Sequence, residues 1–129
     1  MRVFKTRWFR RFCRKEGLED VALLDAINRA NRGQIDADLG GGVIKQRIAR
    51  SGRGKSKGYR TIIFFRYGER AVFVYGFSKS QKDNIRPDEE EAFKDAAMHV
   101  LSLTDGQLAA LVENGDFVEV KANEQEVSK

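Results

Sequence analysis

An unbroken apolar run, Ala71-Val72-Phe73-Val74-Tyr75-Gly76-Phe77, constrains the fold more than any other feature of this chain. Apolar residues at consecutive rather than alternate positions are typical of a central strand that is covered on both faces. The segment 59–67 before it is rich in Ile, Phe and Tyr, and Gly68-Glu69 between the two suits a tight turn. We therefore predict a hairpin of two strands, 59–67 and 71–79.

A third strand is predicted upstream, over 43–49. Its residues alternate, so that Lys45 and Arg47 lie on one face and the intervening residues on the other. Residues 50–58 are Arg-Ser-Gly-Arg-Gly-Lys-Ser-Lys-Gly, a composition that predicts a mobile basic loop. Residues 36–42 hold too many turn formers for a regular element and are also predicted to form a loop.

Two helices are predicted ahead of these strands. After a short opening strand at 3–5, Thr6 caps a helix over 7–16 that Gly17 ends. A second helix over 19–32 completes an αα-hairpin. The first helix is amphipathic, with one apolar face (Trp8, Phe9, Phe12, Cys13) and one cationic face (Arg7, Arg10, Arg11, Arg14, Lys15).

An acidic helical section follows. Its first helix opens at Pro87, with Asp88 and Glu91 as the N-terminal cap, and Thr104 begins a second helix with a capping-box pattern. A short last strand is predicted over 117–120.

The order of these elements predicts an α+β fold. We expect a small twisted antiparallel sheet packed against the N-terminal αα-hairpin, with an additional C-terminal helical section. The length of 129 residues fits a single domain, 1–129. Within it we distinguish a basic core (1–86), an acidic helical extension (87–121) and a tail that is expected to be disordered (122–129).

The net charge of +5 conceals a strong asymmetry along the chain. Residues 1–86 carry a net charge of +13, whereas residues 87–129 carry −8. A basic density of this kind suits binding to a phosphate backbone, because each neutralised phosphate releases counterions. The alternative is that the cations are merely solvated and are screened by the acidic section.

The composition argues against several classes of protein. The apolar runs are far shorter than the ~20 residues of a membrane span, and charges interrupt the N-terminal residues where a signal peptide would be apolar. One Cys excludes an internal disulfide, and no Cys/His group has the spacing of metal ligands. We expect a cytoplasmic protein that uses no metal and no cofactor.

Five cations are candidates for one common site. Lys45 and Arg47 share a strand face, Arg60 begins the neighbouring strand, and Lys79 and Lys82 follow the third strand. Strand pairing would gather them at one end of the sheet, where an anionic ligand would offset their mutual repulsion. The alternative is that they are scattered, exposed residues.

Such cations suit the cleavage of RNA, which carries its own nucleophile in the 2′-OH. Lys and Arg can stabilise the charge that develops on the phosphorane, and a Lys whose neighbours depress its pKa can act as a base. Tyr59 or Tyr75 could hold a splayed base by stacking. The predicted RNA contacts also include four cations of the basic loop: Arg50, Arg53, Lys55 and Lys57.

Three segments together resemble a known family. They are Val43-Ile44-Lys45-Gln46-Arg47-Ile48, then Gly58-Tyr59-Arg60-Thr61-Ile62-Ile63-Phe64, then Phe73-Val74-Tyr75-Gly76-Phe77-Ser78-Lys79-Ser80-Gln81-Lys82. In this order they resemble the RelE/ParE superfamily of type II toxin–antitoxin toxins, and the Phe-x-Lys-x-x-Lys ending is similar to the HigB-like branch. The resemblance covers residues 1–86.

The resemblance implies a toxin that cleaves mRNA in the ribosomal A site without metal and so inhibits translation. It also implies that an antitoxin encoded by the adjacent gene silences the toxin, and a helix-turn-helix domain is one option for that antitoxin. It further implies that Lys45 and Arg47 act as base or orient the 2′-OH, and that Arg60 stabilises phosphate charge. Lys79, with Lys82, would lie near the leaving oxygen.

This chain also departs from the family pattern. RelE has an Arg immediately after the position of Lys79, where this chain has Ser80, and a later catalytic Tyr that has no counterpart here. HigB-like members have a His near the site, which is missing here. Lys82 or Tyr75 would therefore have to act as the general acid.

Two other functions stay open at the level of the sequence. One is a ParE-like poison of DNA gyrase on the same fold, which performs no catalysis. The other is a non-catalytic nucleic-acid-binding module, in which the basic residues only position the backbone.

Overall fold

The computed structural model describes residues 1–50 and 54–121, without the side chains of residues 50 and 54–57. In this part the chain has the predicted α+β architecture. Its strands are β1 (Arg2–Thr6), β2 (Ala37–Gly40), β3 (Val43–Arg50), β4 (Gly54–Arg66), β5 (Arg70–Ser78) and β6 (Phe117–Glu119). Its helices are α1 (Arg7–Glu16), α2 (Asp20–Asn31), α3 (Pro87–Leu101) and α4 (Asp105–Glu113). The predicted disordered tail, 122–129, lies outside the described residues.

The six strands form one open sheet in the order β2-β3-β4-β5-β1-β6. Neighbouring strands are antiparallel except for β1 and β5, which run parallel. The sheet is therefore mostly antiparallel, as predicted, with one parallel pair that the sequence did not predict. The periodicity of a strand shows which residues share a face but not the direction of the neighbouring strand.

Both predicted loops turn out to contain strand. Residues Ala37–Gly40 form the edge strand β2. The chain turns at the end of this strand, where Gly40, Gly41 and Gly42 all have positive φ. In the basic segment, the β3–β4 ladder continues as far as the pair Arg50 and Gly54. Only 51–53 separates the two strands, and those residues lie outside the described part.

Helices α1 and α2 cover one face of the sheet. Thr6 caps α1 by accepting a hydrogen bond from the Phe9 amide (3.2 Å), and Gly17 ends the helix with a φ of +72°, both as predicted. The core beneath includes Phe9, Leu23 and Ile63. Cys13 is buried there, and burial raises the pKa of its thiol to about 11, which keeps it protonated at neutral pH.

Helices α3 and α4 cover the opposite face, so β5 is enclosed on both sides as its sequence predicted. Their core includes Val72, Leu101 and Leu108. The chain then returns through β6, which pairs with β1. Residues 87–119 are thus a layer and an edge strand of the same fold, rather than an appendage to a basic core.

The N-terminus of α3 differs from the prediction. Glu89, not Asp88 or Glu91, accepts the hydrogen bond from the Arg86 amide (2.8 Å) and completes the capping box. Asp88 instead pairs with the Arg86 side chain.

Ion pairs join the acidic section to the basic one. Arg2 contacts Glu119 and Arg7 contacts Asp116, each at 3.0 Å. Exposed pairs of this kind contribute about 0–1 kcal/mol each, so apolar burial remains the larger stabilising term. No helix within the described ranges has the length and apolar character needed to cross a membrane.

Gly76 lets α1 approach β5. A Cβ at this position would lie 2.6 Å from Cε2 of Phe12, whose ring packs against Phe9, Tyr59 and Trp8. The ring therefore cannot move aside freely, and no other side chain fits here without displacing it.

We predict that Gly76→Ala lowers the free energy of unfolding by about 1–3 kcal/mol through overpacking. The matched control is Gly106→Ala in α4, where a new Cβ makes only one contact, with Thr104 at 3.9 Å. This control should raise stability by about 0.4–1 kcal/mol, because alanine restricts the unfolded chain. Urea denaturation measures both, and equal effects of the two variants would contradict the prediction.

Candidate functional site

Strand register brings most of the candidate cations onto one face of the sheet. Arg47 pairs with Arg60 across β3 and β4, and Arg60 pairs with Phe77 across β4 and β5. One step along, Lys45, Ile62 and Tyr75 are aligned in the same way. Because directly opposed residues project to the same side, these residues share one face, the one that α3 covers further along. We call Lys45, Arg47, Arg60, Tyr75, Phe77 and Lys82 the cationic face.

Lys45 is held by the segment between β5 and α3. Its Nζ donates to Oδ1 of Asn84 at 3.1 Å, and the same oxygen accepts from the Ile85 amide at 2.9 Å. The partner of Lys45 is thus a neutral amide, and no carboxylate in the described part of the chain forms an ion pair with it.

Lys82 lies over the aromatic residues at the end of β5. Its Nζ donates to both carboxylate oxygens of Glu89 (2.9 and 3.1 Å) and to the Tyr75 hydroxyl at 3.5 Å. It also lies 5.3 Å from the Tyr75 ring centroid and 6.0 Å from that of Phe77. The hydrogen bond to Glu89 raises the pKa of Lys82 above its ordinary value. Lys82 is therefore protonated at neutral pH, and its charge is already paired with that of Glu89.

The Arg47 guanidinium is bound by Asp36, which lies just before β2. Asp36, on the β2 side of β3, accepts from the Arg47 amide (2.7 Å) and from the guanidinium (3.1 and 3.3 Å). Burial opposes ionisation of Asp36, but these hydrogen bonds outweigh it and hold the pKa of the carboxyl below its ordinary value. Arg47 shares the face but is already neutralised, so it is a weaker candidate than Lys45.

Arg60 and Lys79 occupy different surroundings. Arg60 is half-buried at the middle of the cationic face, between Arg47 and Phe77 in the register. Lys79 is exposed one residue beyond β5, and no side chain in 1–50 or 58–121 forms an ion pair with it. The structure therefore places Lys45, Arg60 and Lys82 on the cationic face, and Lys79 just beyond the end of β5.

The two candidate tyrosines, Tyr59 and Tyr75, lie on opposite faces of the sheet. Tyr75 lies on the cationic face, half-buried beside Lys82. Tyr59 lies on the opposite face, 2% exposed, with its ring edge-on to Phe12 and its hydroxyl donating to the Glu16 carbonyl (3.3 Å). The prediction that Tyr59 stacks on RNA is corrected, because strand alternation turns it into the core.

The four cations predicted to contact RNA from the basic loop cannot be placed. Arg53 lies outside the described residues, as do the side chains of Arg50, Lys55 and Lys57. Their contact with RNA stays a prediction.

Sequence reasoning missed the partners of the cationic face. Asn84 lies after the predicted strand 71–79, in a segment that shows no periodic pattern. Glu89 belongs to an acidic run that is typical of a helix start, and Asp36 lies in a Gly-rich segment. Only the spatial approach of β2 and of the segment before α3 makes them neighbours of cations. Trp8 was predicted to face the core, yet it is 42% exposed and lies beside Tyr75. In the described part, no three His, Cys, Asp or Glu side chains are grouped as a metal site would require.

Comparison with known families agrees with this architecture. A family model described as the RelE toxin of the RelE / RelB toxin-antitoxin system matches residues 1–120. The chain therefore belongs to the RelE family, and it is a toxin of a toxin–antitoxin system with an antitoxin as its partner. The match extends well past residue 86, so the acidic section is part of the family fold. A search of curated proteins gave no match.

The contact between Glu89 and Lys82 gives a pH-dependent prediction. The Arg86 amide and Lys82 lower the pKa of Glu89, so its contribution to stability is present above the unfolded carboxyl pKa. That contribution is lost as the pH falls through the folded pKa. Glu89→Gln retains an oxygen for the cap but loses the charge, and it should lower the free energy of unfolding at pH 7.

Denaturation at pH 7 and at lower pH measures this difference. The gap between wild type and Glu89→Gln should shrink as the pH falls below about 4. Glu91→Gln is the matched control, because Glu91 is exposed and forms no ion pair among the described residues. A gap that persists unchanged in acid would show that the charge of Glu89 is not what stabilises the helix start.

Proposed function

We propose that this toxin is an endoribonuclease that cleaves translated mRNA at the ribosome and so inhibits translation. The observation that carries the proposal is the alignment of Lys45, Arg60 and the pair Tyr75–Lys82 across three adjacent strands. Cations placed in this way are suited to bind one phosphate group and stabilise the charge that develops on it.

The proposed reaction uses the RNA itself as the source of the nucleophile. The 2′-oxygen attacks the adjacent phosphorus, the bond from phosphorus to the 5′-oxygen breaks, and the products carry a 2′,3′-cyclic phosphate and a 5′-hydroxyl. Lys45, anchored by Asn84, orients the 2′-OH; after its ammonium group has lost a proton to solvent, the neutral amine receives the proton of that hydroxyl. Arg60 stabilises the additional negative charge of the phosphorane.

Lys82 completes the proton balance. It is protonated at neutral pH, as a lysine ordinarily is, and it gives a proton to the departing 5′-oxygen once the RNA displaces Glu89, whose hydrogen bond raises the pKa of Lys82 and opposes this transfer. Tyr75 lies within reach of Lys82 and offers a ring against which a base can stack. The exposed Lys79 attracts the RNA backbone without touching the reacting atoms. Arg47 is already paired with Asp36 and has no direct part in the proposed reaction.

The test compares two arginines of one strand. Arg60→Ala should abolish growth arrest and transcript cleavage when the chain is induced in cells, since removal of a charge-stabilising group typically costs ~100–1,000-fold in rate. Arg66→Ala is the control, because Arg66 is exposed at the far end of β4 and, among the described side chains, forms an ion pair with Glu69 alone. It should leave arrest and cleavage intact. Transcript 5′-end mapping measures cleavage, and thermal unfolding confirms that both variants fold.

Full cleavage by Arg60→Ala would contradict the assigned site. Growth arrest with intact transcripts and DNA damage would contradict the proposed activity and favour a gyrase poison. RNA binding that weakens steeply with salt but never yields cut RNA would favour a binding module.

A further inference from the structure

A groove borders the cationic face on the side of α1. It has a volume of about 530 Å³, within the usual range of ligand sites, and it runs between α1 and the end of β5. Trp8, Phe12, Tyr75 and Phe77 supply its aromatic wall, and Arg11, Lys15, Gln81 and Lys82 its polar rim. One acid, Glu16, also lines it.

The edge of β5 explains why the groove exists. β1 pairs with β5 only as far as Phe73, so from Val74 to Ser78 β5 has β4 as its one strand neighbour. Helix α1 passes beside this free stretch, and Gly76 allows Phe12 to approach it. The opening thus lies beside the free edge of β5, and Gln81 and Lys82 of the segment after β5 complete its rim.

Trp8 is a partly exposed aromatic residue that lines the groove. Its ring stacks on Phe12 with centroids 5.5 Å apart and planes 12° apart, and it lies 4.8 Å from the Tyr75 centroid. The ring is therefore fixed by its neighbours, yet the side chain is 42% exposed. Rigid, exposed aromatic rings are the platforms on which proteins stack unpaired bases.

The rim of the groove has the charge of a site for phosphate. Neither Arg11 nor Lys15 forms an ion pair with any acid in the described part of the chain, whereas Lys82 is paired with Glu89. These two cations lie one helical turn apart on α1, as do Trp8 and Arg11. A ring for a base and cations for the adjoining phosphates therefore follow one another along the helix.

We infer that this groove binds a single-stranded segment of RNA, with one base stacked on Trp8 and the neighbouring phosphates against Arg11 and Lys15. The inference builds on the proposed function, since Tyr75, Phe77 and Lys82 belong to both surfaces and would let one strand continue from the groove to the cationic face. An acidic peptide would satisfy the cations as well. An acidic peptide offers no ring to stack on the exposed part of Trp8, so RNA is the occupant that the geometry favours.

Trp8 is the only tryptophan of the chain, so its fluorescence reports on the groove alone. The full chain is titrated with a 2′-O-methyl oligoribonucleotide of about 8 nucleotides, a length within known site sizes, which lacks the nucleophile and stays intact. We expect binding to quench Trp8 strongly. An oligonucleotide of equal length without bases should bind more weakly and leave the fluorescence nearly unchanged.

Variants test the two halves of the groove through the anisotropy of a labelled oligonucleotide. Trp8→Ala should weaken binding about tenfold, and Trp8→Phe should restore part of the loss because a ring remains. Arg11→Gln and Lys15→Gln should each reduce the salt dependence of binding by about one phosphate contact. Arg14→Gln, on the same helix but outside the groove, is the matched control and should have the smaller effect.

The inference fails if saturating oligonucleotide leaves Trp8 fluorescence unchanged, or if folded Trp8→Ala and Trp8→Phe both bind like the wild type. It also fails if a poly-glutamate peptide quenches Trp8 and the oligonucleotide does not. Quenching by the oligonucleotide without transcript cleavage in cells would overturn the proposed nuclease activity but support the groove. Transcript cleavage in cells without any change in Trp8 fluorescence would overturn the groove but support the proposed nuclease activity.

Discussion

The register of β3, β4 and β5 is the constraint on which the site depends. It aligns Arg47, Arg60 and Phe77 in one row and Lys45, Ile62 and Tyr75 in the next. A slip of one residue in either pairing would turn half of these side chains into the α1–α2 core. The register is itself secured by burial, because Ile62, Phe64 and Val72 pack under α3 while Ile63 and Phe73 pack under α1 and α2. The enclosed hairpin thus places the cations.

The acidic section has two physical roles in this arrangement. Leu101, Leu108 and Phe117 bury the second face of the sheet, which the α1–α2 hairpin cannot reach. Its carboxylates also neutralise particular cations: Glu89 forms an ion pair with Lys82, and Glu119 forms one with Arg2. The cations of α1 that border the groove have no such partner in the described part of the chain. The uneven charge along the chain therefore becomes an uneven charge over the surface, concentrated at the end of β5 and on α1.

Patterns within short stretches of sequence predicted most of the helices and strands. The alternation of Lys45 and Arg47, the apolar run of β5 and the caps at Thr6 and Thr104 all correspond to elements of the structure. Features that depend on distant segments were not accessible: the parallel pairing of β1 with β5, the edge strand β2, and the return of β6 to β1. The site divides in the same way. Strand alternation places Lys45 and Arg60 on a common face, but it also buries Tyr59. Only the folded chain shows that Asp36 forms an ion pair with Arg47 and Glu89 with Lys82.

The central claim is that the RNA supplies its own nucleophile to cations on this sheet face. Ribosomes programmed with a synthetic mRNA and mixed with the purified toxin test it directly, using one mRNA that is all-ribose and one with a single 2′-deoxy nucleotide at the cleaved position. The account predicts cleavage of the first, with a 2′,3′-cyclic phosphate and a 5′-hydroxyl at the new ends, and an intact second mRNA. Equal cleavage of both, or new ends that carry a 3′-hydroxyl and a 5′-phosphate, would contradict it.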